Sequence, residues 1–467
     1  MRRPQRHRLL HGYPMPPLLR RASPDPLHVR RLDGALIRRA GEVLEPPLVD
    51  LGSDRPLIVG VMPHTQCQPK VEGCGFCTFP HDDFDKRLLR HTVGRVIDEV
   101  RGTPEELRRR RVVGVYLGGA TANLMPTASL RGLLDALGAA FELHGAELTL
   151  EGVPSLFPSF LPGALHALRD GPGARKRVSM GVQTFDPAWL ARMGREHFGD
   201  RRTVEKVVSR AHGFGMTASA DLLLGLPGRP LEEELADLRL AATLGLDQIC
   251  VYPLVLTGDT PWARDPAMVD GLPRVEEGLA RWLEVRELLG SLGFTQTTLT
   301  NFEREPAFAY ERASFAPDVH DGLGIGPLSI STFLDPKARR AVKTVRGRAT
   351  REWMDTDRLW FPYEPRDVSL LLITRMLCAL EIERARYQTV LGHDLVEQHG
   401  AVVDALVEAR LATLDDRVLK LTPTGAYYAD AVVGTFAAAR AAEVRDQGAG
   451  RHTTDLARGR IVSDFMG

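Results

Sequence analysis

The sequence predicts an α/β fold, a partial barrel of six βα units followed by a smaller, winged-helix-like α+β domain. From Pro56, short apolar runs rich in β-branched residues alternate with amphipathic helical stretches, which is typical of repeated βα units around a parallel sheet. From about Arg366 the order changes to helices, then two short apolar runs separated by a turn, then a last helix. That order predicts a second, smaller domain after the barrel.

Six runs are predicted to form the barrel strands: 57–62, 112–117, 147–151, 178–183, 217–224 and 248–255. Between the first two, apolar residues from Leu88 to Val100 recur at helical spacing and predict a helix with one buried face. Six units fit an open or partial barrel better than a closed eight-fold one. In the second domain the predicted strands are 411–414 and 418–421, and a helix begins at Pro423.

The chain divides into four predicted parts: an arm (1–50), the barrel (51–345), the C-terminal domain (346–445) and a tail (446–467). Its 467 residues exceed what one hydrophobic core normally holds. The first part is rich in Arg and Pro without a sustained period, so we expect an extended arm, either solvated or closing over a substrate. The C-terminal domain has no clear basic stripe, which favours a structural or lid role over DNA binding.

The composition is that of an ordinary globular protein, with 43% hydrophobic and 26% charged residues. Basic and acidic residues balance at 60 each, so the charge favours a small-molecule substrate over nucleic acid or a membrane surface. No stretch approaches the roughly 18 apolar residues of a membrane span, and the Arg-rich start lacks the apolar core of a secretory signal. We therefore expect a cytoplasmic protein.

Three of the five cysteines, Cys67, Cys74 and Cys77, are crowded into the loop that follows the first predicted strand. An odd number of cysteines with this crowding indicates a metal site and not a disulfide framework. Loops after barrel strands line the C-terminal face, where such barrels carry out their chemistry. One interpretation is a structural zinc ion with His64 or His81 as the fourth ligand.

The other interpretation, which we favour, is a [4Fe-4S] cluster. Three thiolates leave one iron without a protein ligand, so a small molecule can bind there. The amino and carboxylate groups of S-adenosylmethionine (SAM) fit such an iron, and an electron passed through the cluster can break the sulfonium bond to leave a 5′-deoxyadenosyl radical. Phe76, between the last two cysteines, is placed to cover the cluster from water. Cys250 and Cys378 lie in apolar runs and are expected to be buried thiols.

Several ordered motifs accompany the cysteine loop. They are Gly118-Gly119-Ala120-Thr121, the run 179–185, Met193-Gly194-Arg195-Glu196-His197, the run 221–228, Gly258-Asp259-Thr260-Pro261, the run 322–326 and, near the C-terminus, Leu421-Thr422-Pro423-Thr424-Gly425. On these motifs, residues from about 56 to 439 resemble the oxygen-independent coproporphyrinogen III oxidase-like (HemN-like) branch of the radical SAM superfamily. The resemblance covers most of the chain, whereas any one Gly-rich loop alone would be a weak signal.

The resemblance implies a SAM site made of Phe76, Gly119, Ala120, Thr121, Glu151, Gln183, Arg195 and Asp221. Small residues in the Gly119 loop let the backbone approach a ligand closely. Glu151 is placed to accept hydrogen bonds from a ribose or ammonium group, and Arg195 suits a carboxylate. For Arg195 and Asp221 the alternative is a structural ion pair. For the run 225–228 it is a plain turn, and Tyr252 is expected in the core.

Two departures from the family are visible. Six residues separate Cys67 from Cys74, where the family usually has three, so the loop must bulge to present the same three thiols. The oxidase members carry a Tyr on the first strand, where this sequence has only apolar or small residues such as Val59, Gly60 and Val61. The second departure argues against a porphyrinogen substrate.

The sequence thus predicts a radical SAM enzyme that uses one SAM, or two, and an electron donor such as flavodoxin or ferredoxin. With a second SAM it would transfer a methyl or methylene-derived carbon to a small metabolite, and this is the leading expectation for the reaction. The alternatives are oxidative decarboxylation of coproporphyrinogen III, a haem chaperone, and a zinc-stabilised regulatory protein.

Overall fold

One twelve-stranded sheet forms the frame of the protein. The computed structural model describes residues 10–11, 51, 53–79, 81–158, 163–257, 260–305, 308–346, 353–354 and 359–448. The strands are β1 (Leu10–His11), β2 (Leu57–Val61), β3 (Val112–Leu117), β4 (Glu147–Gly152), β5 (Arg175–Gln183), β6 (Thr217–Leu224), β7 (Gln248–Pro253), β8 (Leu256–Thr257), β9 (Thr295–Gln296), β10 (Asn301–Glu303), β11 (Asp321–Ile325), β12 (Ile330–Asp335), β13 (Arg340–Val345), β14 (Leu359–Tyr363), β15 (Glu381–Glu383), β16 (Ala412–Leu414) and β17 (Val418–Leu421).

Helices cover the sheet and build the second domain. They are α1 (Lys86–Arg101), α2 (Glu105–Arg108), α3 (Thr127–Ala140), α4 (Ala164–Asp170), α5 (Pro187–Arg192), α6 (Arg201–Gly213), α7 (Leu231–Thr243), α8 (Pro266–Asp270), α9 (Val275–Ser291), α10 (Ala309–Ser314), α11 (Pro365–Cys378), α12 (Arg384–Leu391), α13 (Leu395–Glu408), α14 (Pro423–Tyr427) and α15 (Ala429–Gly448).

Strands β2 to β7 lie side by side in chain order and run parallel. They are the six predicted barrel strands, so the predicted fold class is confirmed. Four of the six predicted ranges differ from the observed strands. β2 ends one residue earlier than predicted, at Val61, and β4 ends one residue later, at Gly152. β5 begins at Arg175, earlier than predicted. Its first residues are charged, so they do not show the apolar pattern by which a strand is recognised. The predicted run 248–255 is interrupted after Pro253, and residues 256–257 form the separate strand β8.

β11 adds a seventh parallel strand beside β2, with Asp321 opposite Leu57 and Ile325 opposite Val61. The sequence did not predict this strand because its two glycines lower the β propensity. At Gly324 a side chain has no room, since a Cβ there would lie 2.4 Å from the Ile330 carbonyl oxygen. The sheet order is linear, with β12 to β14 beyond β11 and β10 and β9 beyond β7, so the barrel stays open.

The C-terminal domain combines helices α11 to α15 with a three-stranded sheet in the order β15-β17-β16. The two predicted strands and the helix at Pro423 are present, and Thr422 Oγ1 caps that helix by accepting the Gly425 N–H at 3.0 Å. β15 was not predicted, because it is only three residues long and carries two glutamates. This is the order of helices and hairpin that the sequence indicated.

The two chain ends lie almost wholly outside the described residues. Of the predicted arm, only Leu10–His11 is described, and it pairs antiparallel with β8. The boundaries of the four predicted parts stay predictions. Within the described ranges, no helix combines the length and the apolar character needed to cross a membrane.

The two faces of the barrel strands differ in chemistry. One face carries apolar residues such as Val115, Leu148 and Val178, which pack on the helices in the main core. The other face lines the inside of the barrel, which we call the lumen, and carries Tyr116, Glu151, Arg177, Asp221 and Cys250 along with several glycines. A closed barrel fills this space with branched apolar residues. Here the interior is polar and partly open.

Candidate functional site

The loop that carries the three cysteines leaves β2 and is tied at both ends. Gln66 and Asp82 form a parallel bridge. The Cys67 N–H donates to the Asp82 carbonyl at 3.2 Å, and the Asp82 N–H donates to the Thr65 carbonyl at 2.8 Å. The Asp85 N–H, at the start of α1, donates to Gln66 Oε1 at 3.0 Å. The loop therefore closes on itself at the C-terminal end of the barrel strands.

The long spacer between Cys67 and Cys74 packs on the motif that follows β5. The Lys70 N–H donates to the Gly194 carbonyl at 2.9 Å, and His197 Nε2 lies 2.8 Å from the Gln68 carbonyl oxygen. A Cβ on Gly194 would lie 2.4 Å from the Val71 nitrogen, so only glycine permits this approach. The expected bulge of the longer spacer is therefore accommodated because the spacer packs on the motif that contains Gly194 and His197.

The chain then turns sharply to present Cys74. Gly73, Cys74 and Gly75 have φ values of 54°, 52° and 86°, three consecutive left-handed residues. Cys74 is a non-glycine residue in this region, where a side chain costs conformational energy. A Cβ on Gly75 would lie 2.0 Å from Trp262 Nε1. The turn therefore exists only because glycines flank the cysteine.

Aromatic side chains cover this turn. Trp262 lies 5.6 Å from the Phe76 ring and 5.9 Å from the Trp189 ring, centroid to centroid. Both tryptophans belong, with Cys74, to a small apolar cluster separate from the main core. Phe76 packs against this cluster, as expected for a residue that shields the cysteines. Trp262 was not predicted to be near the cysteines, because it is remote from them in sequence and follows, outside the motif, directly after Gly258-Asp259-Thr260-Pro261.

Each thiol receives at least one hydrogen bond, and Cys67 also receives one from the Gln68 backbone. Thr121 Oγ1 donates to Cys67 Sγ at 2.9 Å, Arg195 Nη1 donates to Cys74 Sγ at 3.3 Å, and a backbone N–H donates to Cys77 Sγ at 3.4 Å. These donors stabilise negative charge on sulfur.

Burial sets the protonation of the thiols. It raises the pKa of Cys67, and it raises the pKa of Cys77 to about 12, with the neighbouring thiols adding to both shifts. The thiols of Cys67 and Cys77 thus interact electrostatically with their neighbouring cysteines. Without a cation nearby Cys67 and Cys77 are protonated, whereas a bound metal centre would reverse this preference.

The Gly119 loop lies next to the cysteines and is anchored by Glu151. The Gly119 N–H donates to Glu151 Oε2 at 3.1 Å, and the Tyr116 hydroxyl also bonds this carboxylate. Gly119 and Ala120 have φ values of 92° and 43°, and a Cβ on Gly118 would lie 2.4 Å from Glu151 Oε2. Burial raises the pKa of Glu151. The carboxylate expected to bind SAM is therefore already holding the loop that carries Thr121.

Arg195 lies against a cysteine and is not in an ion pair within the described part of the chain. Its Nη2 donates to the Gly181 carbonyl at 2.5 Å, and its guanidinium lies 4.7 Å above the Phe198 ring. Gln183 follows at the end of β5 with a φ of 72°, where the register of β5 against β6 shifts. Arg195 borders the cysteine loop through Cys74, a contact not foreseen from the sequence, and the Gln183 amide lies beside Gly181.

Asp221 lies deeper in the lumen, bonded to Cys250 and close to Glu151. Burial raises the pKa of Asp221 to about 7, and the nearby negative charge of Glu151 adds to the effect. Cys250 is buried, as predicted, yet it faces this polar lumen and is not a simple hydrophobe of the core. The ion pair considered for Asp221 is absent from the ion pairs of the described residues.

Further lumen residues were missed by sequence reasoning. Arg177 is buried and pairs with Glu311 of α10, and its guanidinium lies 4.9 Å above the Phe308 ring. Tyr310 of α10 fills the space beside β2, since a Cβ on Gly60 would lie 3.0 Å from its hydroxyl. The sequence does contain a signal for these residues. Polar residues occur at every second position in strands that are otherwise apolar, and such positions face the same side of the sheet.

The lumen is open to a small molecule at its upper end. Tyr116, Glu151, Gln183, Asp221 and Tyr252 keep partly accessible surface although they lie on central strands. For Tyr252 this differs from the expected core position. Its neighbours on the same strand, Val251 and Ile249, are fully buried on the outer face. These side chains therefore keep surface that a small molecule can reach.

The two histidines of the zinc interpretation each have a backbone partner, and the His81 ring also lies close to Gly73, next to Cys77. His64 Nδ1 accepts the Gln66 N–H at 3.1 Å, and His81 Nδ1 lies 3.1 Å from the Phe79 carbonyl oxygen. Across the residues that the structure describes, no three His, Cys, Asp or Glu side chains are grouped to hold a single metal ion, the three cysteines included. This finding does not distinguish a zinc ion from a cluster, so the zinc interpretation stays an alternative.

Comparison with known proteins points to the same chemistry. A model of the Radical SAM superfamily matches residues 71–241. The chain is 27% identical to heme chaperone HemW of Escherichia coli over 319 residues, which is 63% of this chain and 78% of that protein. It is 26% identical to the bovine (Bos taurus) mitochondrial protein named radical S-adenosyl methionine domain-containing protein 1, over 61% of this chain and 62% of that protein.

A solved structure shares the fold. Coproporphyrinogen III oxidase (HemN) from Escherichia coli, described as a radical SAM enzyme, superposes with a TM-score of 0.68 at 18% identity. The superposition covers 83% of this chain and 92% of that one. At this identity the likeness shows the fold alone.

The residues at the cysteine loop fit an iron–sulfur cluster and bound SAM. Three converging thiols, each with a donor, match the ligand set of a cluster with one iron left open. The apolar cover excludes water from the sulfurs. The Gly119 loop exposes backbone beside them, where a ligand can approach.

Replacing Gly75 tests the turn that presents Cys74. We expect Gly75→Ala to lose most of its iron and sulfide after anaerobic reconstitution, because the new Cβ meets Trp262 and the left-handed backbone costs ~1–3 kcal/mol. Gly94→Ala is the control, since its Cβ meets nothing within 4 Å on α1. Iron and sulfide per chain are measured beside the thermal midpoint. Wild-type iron content in Gly75→Ala would contradict this account of the turn.

Replacing Asp221 tests the pKa in the lumen. Asp221 has its ordinary pKa of 3.8 when unfolded and about 7 when folded, so the folded state holds its proton more tightly. The stability of the wild-type apoprotein therefore falls as pH rises from about 4 to 7, by up to about 4 kcal/mol from this residue. Asp221→Asn removes this contribution. Urea unfolding at pH 5 and pH 7 measures it, and an identical pH dependence in both proteins would refute the shift.

Proposed function

We propose that this chain, a HemN-like radical SAM enzyme, holds a [4Fe-4S] cluster on Cys67, Cys74 and Cys77 and cleaves SAM reductively. The observation that carries the proposal is the convergence of three hydrogen-bonded thiols at the mouth of a polar lumen. When bound, the cluster supplies the electron that breaks the sulfonium bond of SAM and so yields a 5′-deoxyadenosyl radical. A flavodoxin or ferredoxin is the proposed electron donor, and the cytoplasm the proposed location.

The chain's own residues position and protect this chemistry. Arg195 holds the Cys74 sulfur, and Thr121 holds that of Cys67. Glu151 fixes the Gly119 loop so that its backbone faces the ligand. Gln183, at the end of β5, and Asp221, lower on the lumen wall, are the proposed contacts for the remainder of SAM or for the substrate. Phe76 and Trp262 exclude water from the sulfurs.

Asp221 is suited to hold a proton at neutral pH. Its pKa near 7 leaves it divided between its acid and carboxylate forms, which is the condition for a general acid or base. It lies beside Cys250 on a lumen wall that keeps partly accessible surface. A substrate that enters the lumen would therefore meet a proton donor below the cysteine loop.

Three functions towards the substrate are considered. Transfer of a methyl or methylene-derived carbon, with a second SAM, remains a prediction that no relative's name supports. A haem chaperone is favoured by a specific observation, the similarity to HemW of Escherichia coli over 78% of its length. We give the haem chaperone precedence. Coproporphyrinogen oxidation stays the third alternative, since the HemN likeness shows the fold alone.

Assay of 5′-deoxyadenosine tests SAM cleavage. The protein is reconstituted anaerobically with iron and sulfide, then given dithionite and SAM. We expect wild type to form the nucleoside and Cys74→Ala to form none, since two thiols cannot hold a cluster of this kind. Cys378→Ala is the matched control, because Cys378 is equally buried but lies in the C-terminal domain. Its activity should equal that of wild type. An iron-loaded wild type that makes no nucleoside would overturn the proposal.

Haemin titration tests the chaperone proposal. A haem chaperone must bind one haem per chain, and the Soret absorbance of the bound pigment reports the stoichiometry. We expect saturation at about one equivalent, with a dissociation constant in the micromolar range or tighter. Linear absorbance with no saturation would remove the haem proposal and leave SAM cleavage untouched.

A further inference from the structure

Gln183 ends β5 in a backbone conformation that costs energy. Its φ of 72° lies in the left-handed region, which is unfavourable for a residue with a side chain. The pairing of β5 with β6 also shifts register between Gly181 and Gln183. A strained conformation persists only where the surrounding structure holds it. Contacts of the neighbouring residues therefore have to fix the backbone at Gln183.

The side-chain amide of Gln183 lies beside the Arg195 guanidinium. A Cβ built on Gly181 would lie 3.2 Å from Gln183 Nε2 and 3.5 Å from Arg195 Nη2, so both side chains lie over the same glycine. Arg195 also donates to the Cys74 sulfur at 3.3 Å. The strained backbone thus places the amide next to a group that reaches the cysteine loop of the proposed SAM site.

The next residue, Thr184, is fully buried and is held by three hydrogen bonds. Its Oγ1 donates to Asp237 Oδ2 at 2.6 Å. The same oxygen accepts from Arg229 Nη1 at 3.0 Å and from the Asp186 N–H at 3.1 Å. A hydroxyl group has one proton to donate and two lone pairs that accept, so its whole bonding capacity is used. As donor and acceptor together, it bonds a carboxylate and a guanidinium at once.

A buried ion pair anchors this hydroxyl. Arg229 Nη1 donates to Asp237 Oδ2 at 2.7 Å, and the two residues are 4% and 8% exposed. Charges buried in this way keep their partners, because an unpaired charge away from water is strongly unfavourable. The pair therefore offers Thr184 two fixed partners. We call Thr184, Arg229 and Asp237 the Thr184 clamp.

The run 225–228, one of the sequence motifs, leads directly into Arg229. The N–H groups of its first two residues donate to Glu234 Oε1 at 2.7 and 3.1 Å. Arg281 of α9 joins the two parts, since its Nη1 donates both to Glu234 Oε2 and to the Arg229 carbonyl, each at 2.9 Å. The motif is thus tied to α7 and α9, and it delivers Arg229 to the clamp in a fixed position.

We propose that the Thr184 clamp is a positioning device that holds the Gln183 amide beside Arg195, where the amide contacts SAM. The inference rests on the proposed SAM cleavage and adds three residues that act on SAM only through Gln183. A second route to the site runs through α5, because the Asp186 N–H donates to Thr184 and Asp186 caps that helix by accepting the Ala188 N–H at 2.7 Å. The experiment has to separate these two routes.

The test measures SAM affinity in a double-mutant cycle of Thr184→Val and Gln183→Ala. Full-length protein is reconstituted with iron and sulfide and kept oxidised, so that labelled SAM binds in equilibrium dialysis without being cleaved. Thr184→Val should weaken SAM binding by about fivefold, because the displaced amide loses roughly one hydrogen bond to the ligand. In the Gln183→Ala background it should have no further effect, since the residue through which it acts is gone.

Two variants serve as controls, and the thermal midpoint and iron content of every variant are measured. Thr184→Ser keeps the hydroxyl and should restore wild-type SAM affinity. Thr92→Val removes a buried hydroxyl of α1 that donates to the Leu88 carbonyl at 2.8 Å, and it should leave SAM affinity unchanged. If Thr184→Val does not fold, Thr184→Ala replaces it with the same expected results, because it leaves space in which water can hydrate the ion pair.

The outcomes separate failure of the clamp from failure of the proposed function. A loss of affinity that appears only while Gln183 is present would support the clamp. Equal losses in both backgrounds would show action through α5 and would overturn it. Wild-type affinity in the Thr184 variants, or in Gln183→Ala, would overturn the clamp and keep SAM binding. Wild type that binds no SAM would overturn both proposals.

Discussion

The contact between the cysteine spacer and Gly194 is the constraint on which the site depends. It lets backbone meet backbone, because the Lys70 N–H reaches the Gly194 carbonyl and no Cβ stands between them. The same motif then places Arg195 on the Cys74 sulfur. A spacer of six residues can thus present its thiol in a fixed position. Without this surface, the longer loop would lose conformational entropy with no contact to offset it.

Strand bounds could be predicted from the sequence where the pattern of apolar residues was clear. Strands β3 and β6 match their predicted bounds, because both are apolar runs between helices of clear period. β11 was missed because a strand with alternating glycines has low propensity and depends on pairing with β2. The arm was predicted as one part, and the structure describes too little of it to test that.

The candidate site was predictable as a set of positions but not as a set of contacts. Motif order located the loops that carry Thr121, Arg195 and Glu151. It did not show that their side chains turn towards two sulfurs and a backbone N–H. Those contacts depend on residues far apart in sequence and on positive φ angles, which no local pattern encodes. For the same reason Trp262, which covers the turn, could not be foreseen.

Helix α10 closes the end of the lumen that lies opposite the cysteine loop. Its Glu311 pairs with Arg177 in the lumen, and Glu147 accepts its first backbone N–H at 3.0 Å. The helix is therefore fixed to the N-terminal parts of β4 and β5 through two buried contacts. Since a packed helix closes this end, the groups that face the lumen are reached from the end that carries the cysteine loop.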